Sequence, residues 1–379
     1  MVQRPHSHRL CFIVGTRPEA IKLAPVVRAL PSDTAPRIVC TGQHPTLARD
    51  TLAEFGLTPD ICLAPDPDTA PRTMTQRTVR LARRLCEVLS DGAPPAAVLV
   101  QGDTLSALAG AIAGVALSSP VAHVEAGLRT GTLADPWPEE RNRRCIARLA
   151  SLHFAPTARA VQHLRDEGID DDRIVMTGNT GIDALRQMQA AAQPPALPGL
   201  DPGAPMILAT AHRRNGVAGH HRALAAALNR LAHDANVVFI RHMNAAISAP
   251  IQSMLTHRIC VLPPQRFLAF LGLMNAAHAV VTDSGGVQEE ASALGLPAVI
   301  IRDLTERPES RRTGAVLVDA QPDRIEALVR QALRAPADRT PSDIFGDGRA
   351  AARIVERLHA FLTTPMPAPA QPVAVALTG

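Results

Sequence analysis

Short, continuous apolar runs alternate with longer stretches of helical periodicity, and this alternation restricts the fold more than any other feature of the chain. In the first half the apolar runs span residues 11–15, 37–41, 97–102, 121–124, 152–155 and 174–177. Runs without polar alternation are typical of parallel strands that helices cover on both faces. Because helical stretches at 18–30, 73–89 and 104–116 lie between them, the pattern predicts a doubly wound α/β domain.

A proline-rich stretch at residues 188–205 interrupts this pattern and predicts a linker. Beyond it the alternation resumes, with strands predicted at 206–211, 237–241, 259–262, 279–282, 298–301 and 315–318 and helices at 221–232, 267–274, 286–294 and 323–333. We therefore expect two Rossmann-like domains, 1–187 and 206–348, followed by a helix at 349–362 and a flexible tail at 363–379. The cleft between the domains is the expected ligand site, since ligands bind beyond the carboxyl ends of parallel strands.

Composition and charge exclude several classes of function. The 379 residues carry 39 basic and 35 acidic side chains without a dense basic block, so nucleic-acid binding is not indicated. The longest apolar stretch, residues 108–122, is shorter than the ~20 residues of a membrane span, and we expect a soluble, cytoplasmic protein. The six cysteines form no C-x-x-C pair and no P-loop motif is present. Lys22, the only lysine, is the only candidate for Schiff-base chemistry.

Polar residues follow the predicted strands of the first domain. Arg17 comes directly after the first strand in a Gly-Thr-Arg-Pro-Glu turn that opens a helix. There a helix N-terminus and a guanidinium could hold a phosphate together, although the segment could also be a plain turn with an exposed arginine. Asp103 follows the third strand, where it could orient a sugar or simply cap the next helix.

The segment that begins at His123 is denser in polar groups. His123 and Glu125 stand two residues apart on a strand and so share one face. A carboxylate at a buried strand end is costly unless it is solvated, paired or used. Further along, Glu139 and Glu140 follow the only tryptophan within a Pro-Trp-Pro sequence. They either present a carboxylate on a rigid loop or occupy a helix N-terminus that favours negative charge.

The strongest predicted site lies in the second domain, where Ser284, Gly285 and Gly286 follow a strand and open a helix. Two glycines let the backbone approach a diphosphate, and the helix N-terminus stabilises its charge. Glu290, about one turn further on, could reach a ribose hydroxyl. His212 follows the first strand of this domain, and the positive charge beside it favours neutral imidazole. It could be a base, an orienting group beside a phosphate or a surface histidine.

Taken together, these segments resemble the non-hydrolysing UDP-N-acetylglucosamine 2-epimerases. The matching pieces are GTRPEAIKLAPVV at 15–27, TGQH at 41–44, QGDT at 101–104, HVEAGLRTG at 123–131, PWPEERNR at 136–143, TGNTGIDAL at 177–185, AHRR at 211–214, LMNAAHAVVTDSGGVQEEA at 273–291 and RDLTERPE at 302–309. Blocks of this length in the same order, from about residue 10 to 362, make the resemblance highly specific. It implies a GT-B-like pair of Rossmann-like domains and a homodimer.

By this resemblance the catalytic positions are Asp103, Glu125, Glu139 and His212. The positions that bind the UDP-sugar are Arg17, Lys22, Ser284, Gly285, Gly286, Glu290 and Arg307. The implied reaction is reversible C2 epimerisation of UDP-N-acetylglucosamine, by elimination of UDP to 2-acetamidoglucal and re-addition. Carboxylates serve proton transfer and charge stabilisation, and the resemblance implies no metal, nicotinamide or other cofactor.

Some segments depart from the family pattern. Residues 45–48 read Pro-Thr-Leu-Ala where Arg-x-Met-Leu is frequent, and Asn215 stands where an acid is usual. Because such segments shape an activating second UDP-sugar site in bacterial members, we predict simple saturation kinetics for this chain. Three alternative functions stay open: a hydrolysing 2-epimerase that releases UDP and free N-acetylmannosamine, a GT-B glycosyltransferase, and a catalytically inactive binding protein.

Overall fold

The computed structural model describes residues 9–32, 34–65, 73–133, 136–197, 199–212, 217–302, 306–313, 315–334 and 339–363. The predicted tail beyond residue 363, and the two arginines after His212, lie outside the described residues. Within the described part, the chain forms two parallel sheets with helices between their strands. No helix in these ranges is long and apolar enough to cross a membrane.

The first sheet follows the doubly wound pattern, with its first strand in the middle. Its strands are β1 (Leu10–Val14), β2 (Arg37–Cys40), β3 (Ile61–Cys62), β4 (Ala97–Gln101), β5 (Val121–Val124), β6 (Leu152–Ala155) and β7 (Ile174–Met176), in the order β3-β2-β1-β4-β5-β6-β7. Its helices are α1 (Arg17–Ala29), α2 (Pro45–Glu54), α3 (Met74–Leu89), α4 (Leu105–Ala116), α5 (Glu139–Leu149), α6 (Ala158–Asp166) and α7 (Thr180–Met188). The central strands are buried throughout, because their apolar side chains can pack on both faces.

The second sheet repeats this pattern. Its strands are β8 (Met206–Thr210), β9 (Asn236–Ile240), β10 (Cys260–Leu262), β11 (Ala279–Thr282), β12 (Ala298–Ile301) and β13 (Ala315–Val318), in the order β10-β9-β8-β11-β12-β13. The helices are α8 (Val217–Leu231), α9 (Ala245–Gln252), α10 (Phe267–Ala276), α11 (Gly285–Leu294), α12 (Pro322–Arg334) and α13 (Ala350–Thr363). Both sheets thus reverse their strand order beside the first strand, which is the point where such folds bind ligands.

The predicted fold class, two Rossmann-like domains, is confirmed, and each predicted strand is present with ends that differ by at most one residue. The strand β3 and the helices α2, α6 and α9 were not predicted. The limits proposed for the domains, 1–187 and 206–348, remain predictions. Between them, α7 ends at Met188 and β8 begins at Met206, on either side of the proline-rich stretch.

An apolar core joins the two halves of the molecule. Ile182 and Leu185 of α7 belong to the same buried cluster as Val280 of β11. At the end of α2, Phe55 stacks on Phe267 of α10 with 5.7 Å between the ring centroids. Burial of these side chains favours a fixed orientation of the domains, and so the cleft between the strand ends has a defined shape.

The last helix, α13, packs on the first domain although it follows the second. Ile354 and Leu358 are buried in the core that surrounds β1. The N-terminus of α13 is capped by Asp183 of α7, whose carboxylate accepts hydrogen bonds from the backbone of Ala350 at 3.2 Å and Ala351 at 2.8 Å. The chain therefore crosses between the domains twice, which fixes the hinge side of the cleft.

Candidate active site

The carboxyl ends of neighbouring strands bring the predicted residues to the same cleft. β4 and β5 pair with Gln101 opposite Val124, so the loops that carry Asp103 and Glu125 leave the first sheet side by side. In the second sheet β8 and β11 are neighbours. The segments that follow these two strands, which include His212 and the start of α11, therefore also lie together.

Glu125 has contacts from both domains. Its Oε1 accepts hydrogen bonds from Lys22 Nζ and, at 2.8 Å, from Asn179 Nδ2, and its Oε2 accepts one from Gln101 Nε2. Arg307 Nη2 of the second domain lies 3.3 Å from Oε1. Burial alone would raise the pKa of Glu125, but Lys22 and Arg307 outweigh it and lower the pKa to about 2. The carboxylate is therefore ionised at physiological pH.

The backbone at Glu125 adopts an unusual conformation. Its φ of 65° lies in the left-handed region, which residues with a Cβ atom seldom adopt. Two residues later Gly127 also has a positive φ, of 86°, and an added Cβ there would lie only 2.2 Å from the carbonyl oxygen of Ala160. The turn after β5 is thus packed tightly against α6. Backbone strain that the surroundings maintain is typical of functional sites.

Glu19 connects two loops of the first domain through hydrogen bonds. It was not among the predicted site residues. Its carboxylate accepts hydrogen bonds from the backbone N–H groups of Gly15 at 2.9 Å and Thr16 at 2.6 Å, and from Thr104 Oγ1 at 2.5 Å. Burial raises the pKa of Glu19 to about 7, although these donors act against the rise. The capping-box spacing from Thr16 to Glu19 was the available signal in the sequence.

Asp103 is held by α5. Arg143 Nη2 lies 2.5 Å from Asp103 Oδ2 and 3.6 Å from Glu306 Oε1 of the second domain, and Arg143 Nη1 lies 3.1 Å from Glu140 Oε2. Asn142 of the same helix donates a hydrogen bond to the backbone carbonyl of Asp103 at 2.8 Å. Arg143 was not predicted as a site residue, although it stands one turn after the acids that open the helix. Through Arg143, Asp103 is connected to both domains.

Glu139 is the first residue of α5 and is half-buried. It follows Pro138 and Trp137, and Trp137 is 54% exposed. A carboxylate at this position is stabilised by the helix dipole. This position is compatible with both predicted interpretations of Glu139.

His212 is anchored through its backbone. Its N–H donates to both carboxylate oxygens of Asp283, at 2.8 and 3.0 Å, and its ring lies edge-on to His242 with 5.3 Å between centroids. Desolvation lowers the pKa of His212 below its ordinary value, and Arg17 and Arg302 act in the same direction, while Asp283 opposes them. The imidazole is therefore neutral at pH 7.

The start of α11 offers backbone donors to an anion. Ser284 is the N-cap, and Gly285 and Gly286 are the first two residues of the helix. An added Cβ at Gly285 would lie 2.4 Å from Arg307 Nη1, whereas at Gly286 the nearest atom would be 4.0 Å away. Because only glycine leaves room at residue 285, the guanidinium of Arg307 packs directly on the helix N-terminus. A cation and free N–H groups thus meet at one point, as a diphosphate requires.

Arg17 and Glu290 interact electrostatically across the cleft. Arg17 Nη1 also donates to the backbone carbonyl of Gln265 in the second domain at 2.6 Å. Burial raises the pKa of Glu290 to about 7, with the charge of Glu289 adding to the rise and that of Arg17 opposing it. Arg17 therefore connects the first turn of α1 with the segment before α10 and with Glu290 of α11.

Arg307 is surrounded by three carboxylates. Its Nε pairs with Glu289, its Nη2 lies 3.3 Å from Glu125, and its Nη1 lies 3.7 Å from Glu306. Glu306 in turn lies 2.5 Å from Arg302 Nη1. The surrounding arginines outweigh burial and hold the pKa of Glu306 well below its usual range. Arg307 was predicted to bind the nucleotide, and in the structure it also contacts the predicted catalytic carboxylate Glu125.

The structure brings Lys22, Glu125 and Arg307 into direct contact. Asp103 is joined to this group through Arg143. Most of the other predicted residues stand at the ends of elements that border the same cleft: Arg17, Glu139, His212, Ser284, Gly285 and Gly286. Glu290 lies inside α11. Within the described ranges, no group of three His, Cys, Asp or Glu side chains is arranged to hold a metal ion. Chemically, the site combines the ionised carboxylate of Glu125 on one domain with a helix N-terminus on the other, which favours negative charge.

Comparison with known proteins gives one family along nearly the whole chain. The family model described as UDP-N-acetylglucosamine 2-epimerase matches residues 28–359. The UDP-N-acetylglucosamine 2-epimerases of Yersinia pestis and Escherichia coli K12 are 39% and 38% identical, over 92% of this chain and 98% of theirs. The UDP-GlcNAc 2-epimerase of Neisseria meningitidis, solved bound to UDP-GlcNAc, superposes with a TM-score of 0.84 at 34% identity, over 93% of this chain and 100% of its own. The S. aureus MnaA–UDP co-structure superposes with a TM-score of 0.82 at 31% identity, over 95% and 99%.

Fold and site together define a GT-B-like protein of two α/β domains, with carboxylates on one domain and the glycine-containing N-terminus of α11 on the other. The family match covers both of these domains. The chain belongs to the UDP-N-acetylglucosamine 2-epimerase family, and the family indicated by the sequence motifs is thereby confirmed.

Proposed function

We propose that this chain catalyses reversible C2 epimerisation of UDP-N-acetylglucosamine to UDP-N-acetylmannosamine without releasing free sugar. Family membership supports the proposal, as do relatives named for this activity and a relative solved with UDP-GlcNAc. The observation that carries it is the ionised Glu125, held beside the N-terminus of α11 by Lys22 from one domain and Arg307 from the other. This pairs a fixed anion for the sugar with an anion site for the diphosphate.

In the first step UDP leaves C1 of the sugar. The C1–O bond breaks with its electron pair on the diphosphate, the ring gains oxocarbenium character, and a base takes the C2 proton. Direct deprotonation at C2 is prohibitive because no adjacent carbonyl acidifies this proton. Elimination therefore yields 2-acetamidoglucal and UDP, which both stay in the cleft.

In the second step the diphosphate oxygen attacks C1 again while a proton is delivered to the opposite face of C2. The product is the manno epimer, and no atoms or electrons are gained or lost overall. Proton exchange on two faces requires a proton carrier on each face. The site can meet this requirement because it has more than one carboxylate.

We assign the roles from charge and position. Glu125, with its pKa of about 2, is a poor proton acceptor and serves as a permanent anion that stabilises the oxocarbenium ion. Proton transfer falls to Asp103 and Glu139. Glu290 is assigned to the ribose, and neutral His212 is assigned as a donor to the diphosphate. The other residues assigned to the diphosphate are Arg17, Ser284, Gly285, Gly286 and Arg307. Lys22 holds Glu125 against the sugar.

The test is proton NMR of UDP-N-acetylglucosamine incubated with the full chain in D₂O. We expect a new manno anomeric signal, deuterium at C2 of both epimers, and no free sugar. Epimerisation without deuterium would overturn the elimination route. Accumulation of UDP and free N-acetylmannosamine would instead identify the hydrolysing alternative. Turnover that requires a sugar acceptor would identify a glycosyltransferase.

We also propose that the protein is a homodimer and that it is located in the cytoplasm. The resemblance to the family supports the dimer. The free thiols of all six cysteines support a reducing compartment. Sedimentation of the full chain tests the dimer, with a mass twice that of one chain expected and the monomer mass as the contrary result.

A further inference from the structure

Four buried side chains form a closed ring across the domain interface. Asn179 Nδ2 donates to Glu125 Oε1 and to Glu289 Oε2, both at 2.8 Å. Arg307 completes the ring, because its Nε pairs with Glu289 and its Nη2 lies 3.3 Å from Glu125. Two of the four links, from Asn179 to Glu289 and from Arg307 to Glu125, join one domain to the other.

The orientation of the Asn179 amide follows from its place at a helix N-terminus. Asn179 is the N-cap of α7, and its Oδ1 accepts a hydrogen bond from the backbone N–H of Gly181 at 2.9 Å. Its own backbone N–H donates to the carbonyl of Phe345 at 2.7 Å. With the oxygen used by the cap, the NH₂ group must point the other way, toward the two carboxylates.

The ring places two carboxylates against one shared donor in a buried site. Asn179 is 1% exposed, and the side chains of Glu289 and Glu125 are 2% and 7% exposed. Burial raises the pKa of Glu289. When Glu289 is ionised, two carboxylates that share one donor repel each other unless donors and cations lie between them. Asn179 supplies the neutral donor and Arg307 the cation, so each link is required to keep both carboxylates in place.

We propose that Asn179 is a positioning residue which, together with Glu289, fixes Glu125 in its working orientation. The role rests on the proposed function, because Glu125 is the anion assigned to the sugar. Asn179 acts on Glu125 directly through its own hydrogen bond and indirectly through Glu289, which holds Arg307 against the same carboxylate.

Several charges act on this pair from the elements that surround it. Glu125 is faced by Lys22 from α1, by Arg307 from the segment before β13, by Glu289 from α11 and by His123 from β5. Glu289 is also faced by Glu290 of its own helix. Because the two carboxylates titrate as a pair, removing their shared donor raises the pH at which the pair takes up a proton.

The first test replaces Asn179 by Ser and by Asp. Both variants keep an oxygen that can cap α7, and both lose the amide donor. We expect kcat to fall about 10- to 100-fold, more for Asn179→Asp because it adds a third negative charge, with KM for UDP-N-acetylglucosamine changed less than threefold. Asn229→Ser is the matched control, since it removes an amide on α8 that is bonded to the backbone of Met254 and Thr256. Cap-retaining variants that turn over like the wild type would overturn the proposal.

The second test is a double-mutant cycle with Glu289→Gln. If Asn179 and Glu289 act as one unit on Glu125, the double variant Asn179→Ser/Glu289→Gln should lose no more activity than the less active of the two single variants. Losses that multiply would show that the two residues act independently, and this result contradicts the proposal.

The third test does not require turnover, so it separates this proposal from the proposed function. Carbon-13 NMR of glutamate carboxyls in the ligand-free chain follows the titration of Glu289, assigned by its absence in Glu289→Gln. In Asn179→Ser the midpoint should move to higher pH by at least about half a unit. An unchanged midpoint would contradict the role of Asn179 as the shared donor in the ring, whatever reaction the enzyme catalyses. A moved midpoint in a chain that does not epimerise UDP-N-acetylglucosamine would overturn the proposed function alone.

Discussion

Arg143 Nη2 lies 2.5 Å from Asp103 Oδ2, and the same nitrogen lies 3.6 Å from Glu306 Oε1 of the other domain. The guanidinium is buried, so its charge is not screened by water. Asp103 leaves the sheet on a loop, whereas Arg143 stands on a helix. The helix therefore fixes a side chain that the loop alone could not hold in one orientation.

We expect replacement of Arg143 to damage catalysis more than folding. Arg143→Lys keeps a charge but cannot contact Asp103, Glu140 and Glu306 together, and we expect kcat to fall about 100-fold. Steady-state kinetics with UDP-N-acetylglucosamine measures the effect. Arg148→Ala, at an exposed position on the same helix, should stay within twofold of the wild type. Equal losses in the two variants would contradict the role given to Arg143.

Lys22 should control the charge of Glu125. In Lys22→Met the carboxylate loses its nearest cation, so its pKa rises from about 2 toward 4.5. A carboxyl whose pKa is lowered by folding stabilises the protein above its unfolded pKa, and this stability is lost as pH falls toward 2. The variant should therefore be less stable than the wild type at pH 7, and the difference should shrink below pH 4.5. Urea unfolding at pH 7, 4 and 3 measures it.

Lys22→Arg provides the control for this experiment. It keeps the positive charge beside Glu125, so the pH dependence of stability should resemble that of the wild type. We expect kcat to fall about 100-fold in Lys22→Met and less in Lys22→Arg. A Lys22→Met variant with unchanged stability at every pH would contradict the ion pair.

Two adjacent glycines at the start of α11 should respond differently to alanine. At Gly285 the new Cβ would meet Arg307, whose flexible end can move but only by leaving Glu125 and Glu289. At Gly286 there is open space, and alanine should stabilise the chain by about 0.5 kcal/mol. Because both glycines are assigned to the diphosphate, the comparison is made on the ligand-free chain. We expect Gly285→Ala to unfold at a lower temperature than Gly286→Ala. Thermal unfolding of both variants tests this, and equal unfolding temperatures would contradict the packing of Arg307.

The sequence was sufficient for the strands because buried parallel strands are uniformly apolar. β3 was missed because it has two residues, Ile61 and Cys62, too few for a periodic pattern. α9 was missed because Pro250 lies inside it, and proline is normally a sign that a helix ends. These failures have a local cause, and they leave the order of strands in the sheets unaffected.

The site was predictable only in part. Glu125 could be placed near the cleft because it stands at the end of a strand, and strand ends meet there. The prediction that it shares a strand face with His123 was wrong, since β5 ends at Val124 and Glu125 has a positive φ. Its partner Asn179 could not be placed, because only the folded chain brings residues 54 positions apart into contact. The sequence suggested that Arg307 binds the nucleotide, and its ion pair with Glu289 depends on the position of α11 relative to the segment before β13. Long-range pairs of this kind leave no pattern in a single sequence.

The altered segments around residues 45–48 and Asn215 lead to a kinetic prediction. Residue 215 lies outside the described part of the chain, and α2 begins at Pro45. We expect initial rates in both directions to follow simple saturation, with no activation of UDP-N-acetylmannosamine turnover by added UDP-N-acetylglucosamine. Initial-rate measurements over a wide substrate range check this. Sigmoidal rates that UDP-N-acetylglucosamine relieves would show that an activating site survives.

In the ligand-free protein, Glu290 should lower the stability of the fold at alkaline pH. Burial raises its pKa from 4.5 to about 7, so the folded state resists its ionisation. An acid with a raised pKa leaves folding undisturbed below about pH 4.5, destabilises the fold progressively between pH 4.5 and 7, and keeps this full cost above pH 7. Glu290→Gln, which cannot ionise, should therefore unfold at a temperature a few degrees higher than the wild type at pH 8, and at the same temperature near pH 4.5.

The pKa of Glu19 is similarly raised, but replacing Glu19 by Gln should lower the stability at pH 8 instead of raising it. Its carboxylate accepts hydrogen bonds from the backbone of Gly15 and Thr16 and from Thr104, and the single oxygen of Gln cannot accept all of them. Glu19→Gln should therefore be less stable than the wild type at pH 8, while Glu290→Gln is more stable but binds UDP more weakly. If both variants were destabilised at pH 8, the cost assigned to Glu290 would be wrong. If both bound UDP like the wild type, Glu290 would not hold the ribose. A buried carboxylate that lowers the stability of the ligand-free protein, and is stabilised only when the ligand binds, is characteristic of a residue retained for its ligand.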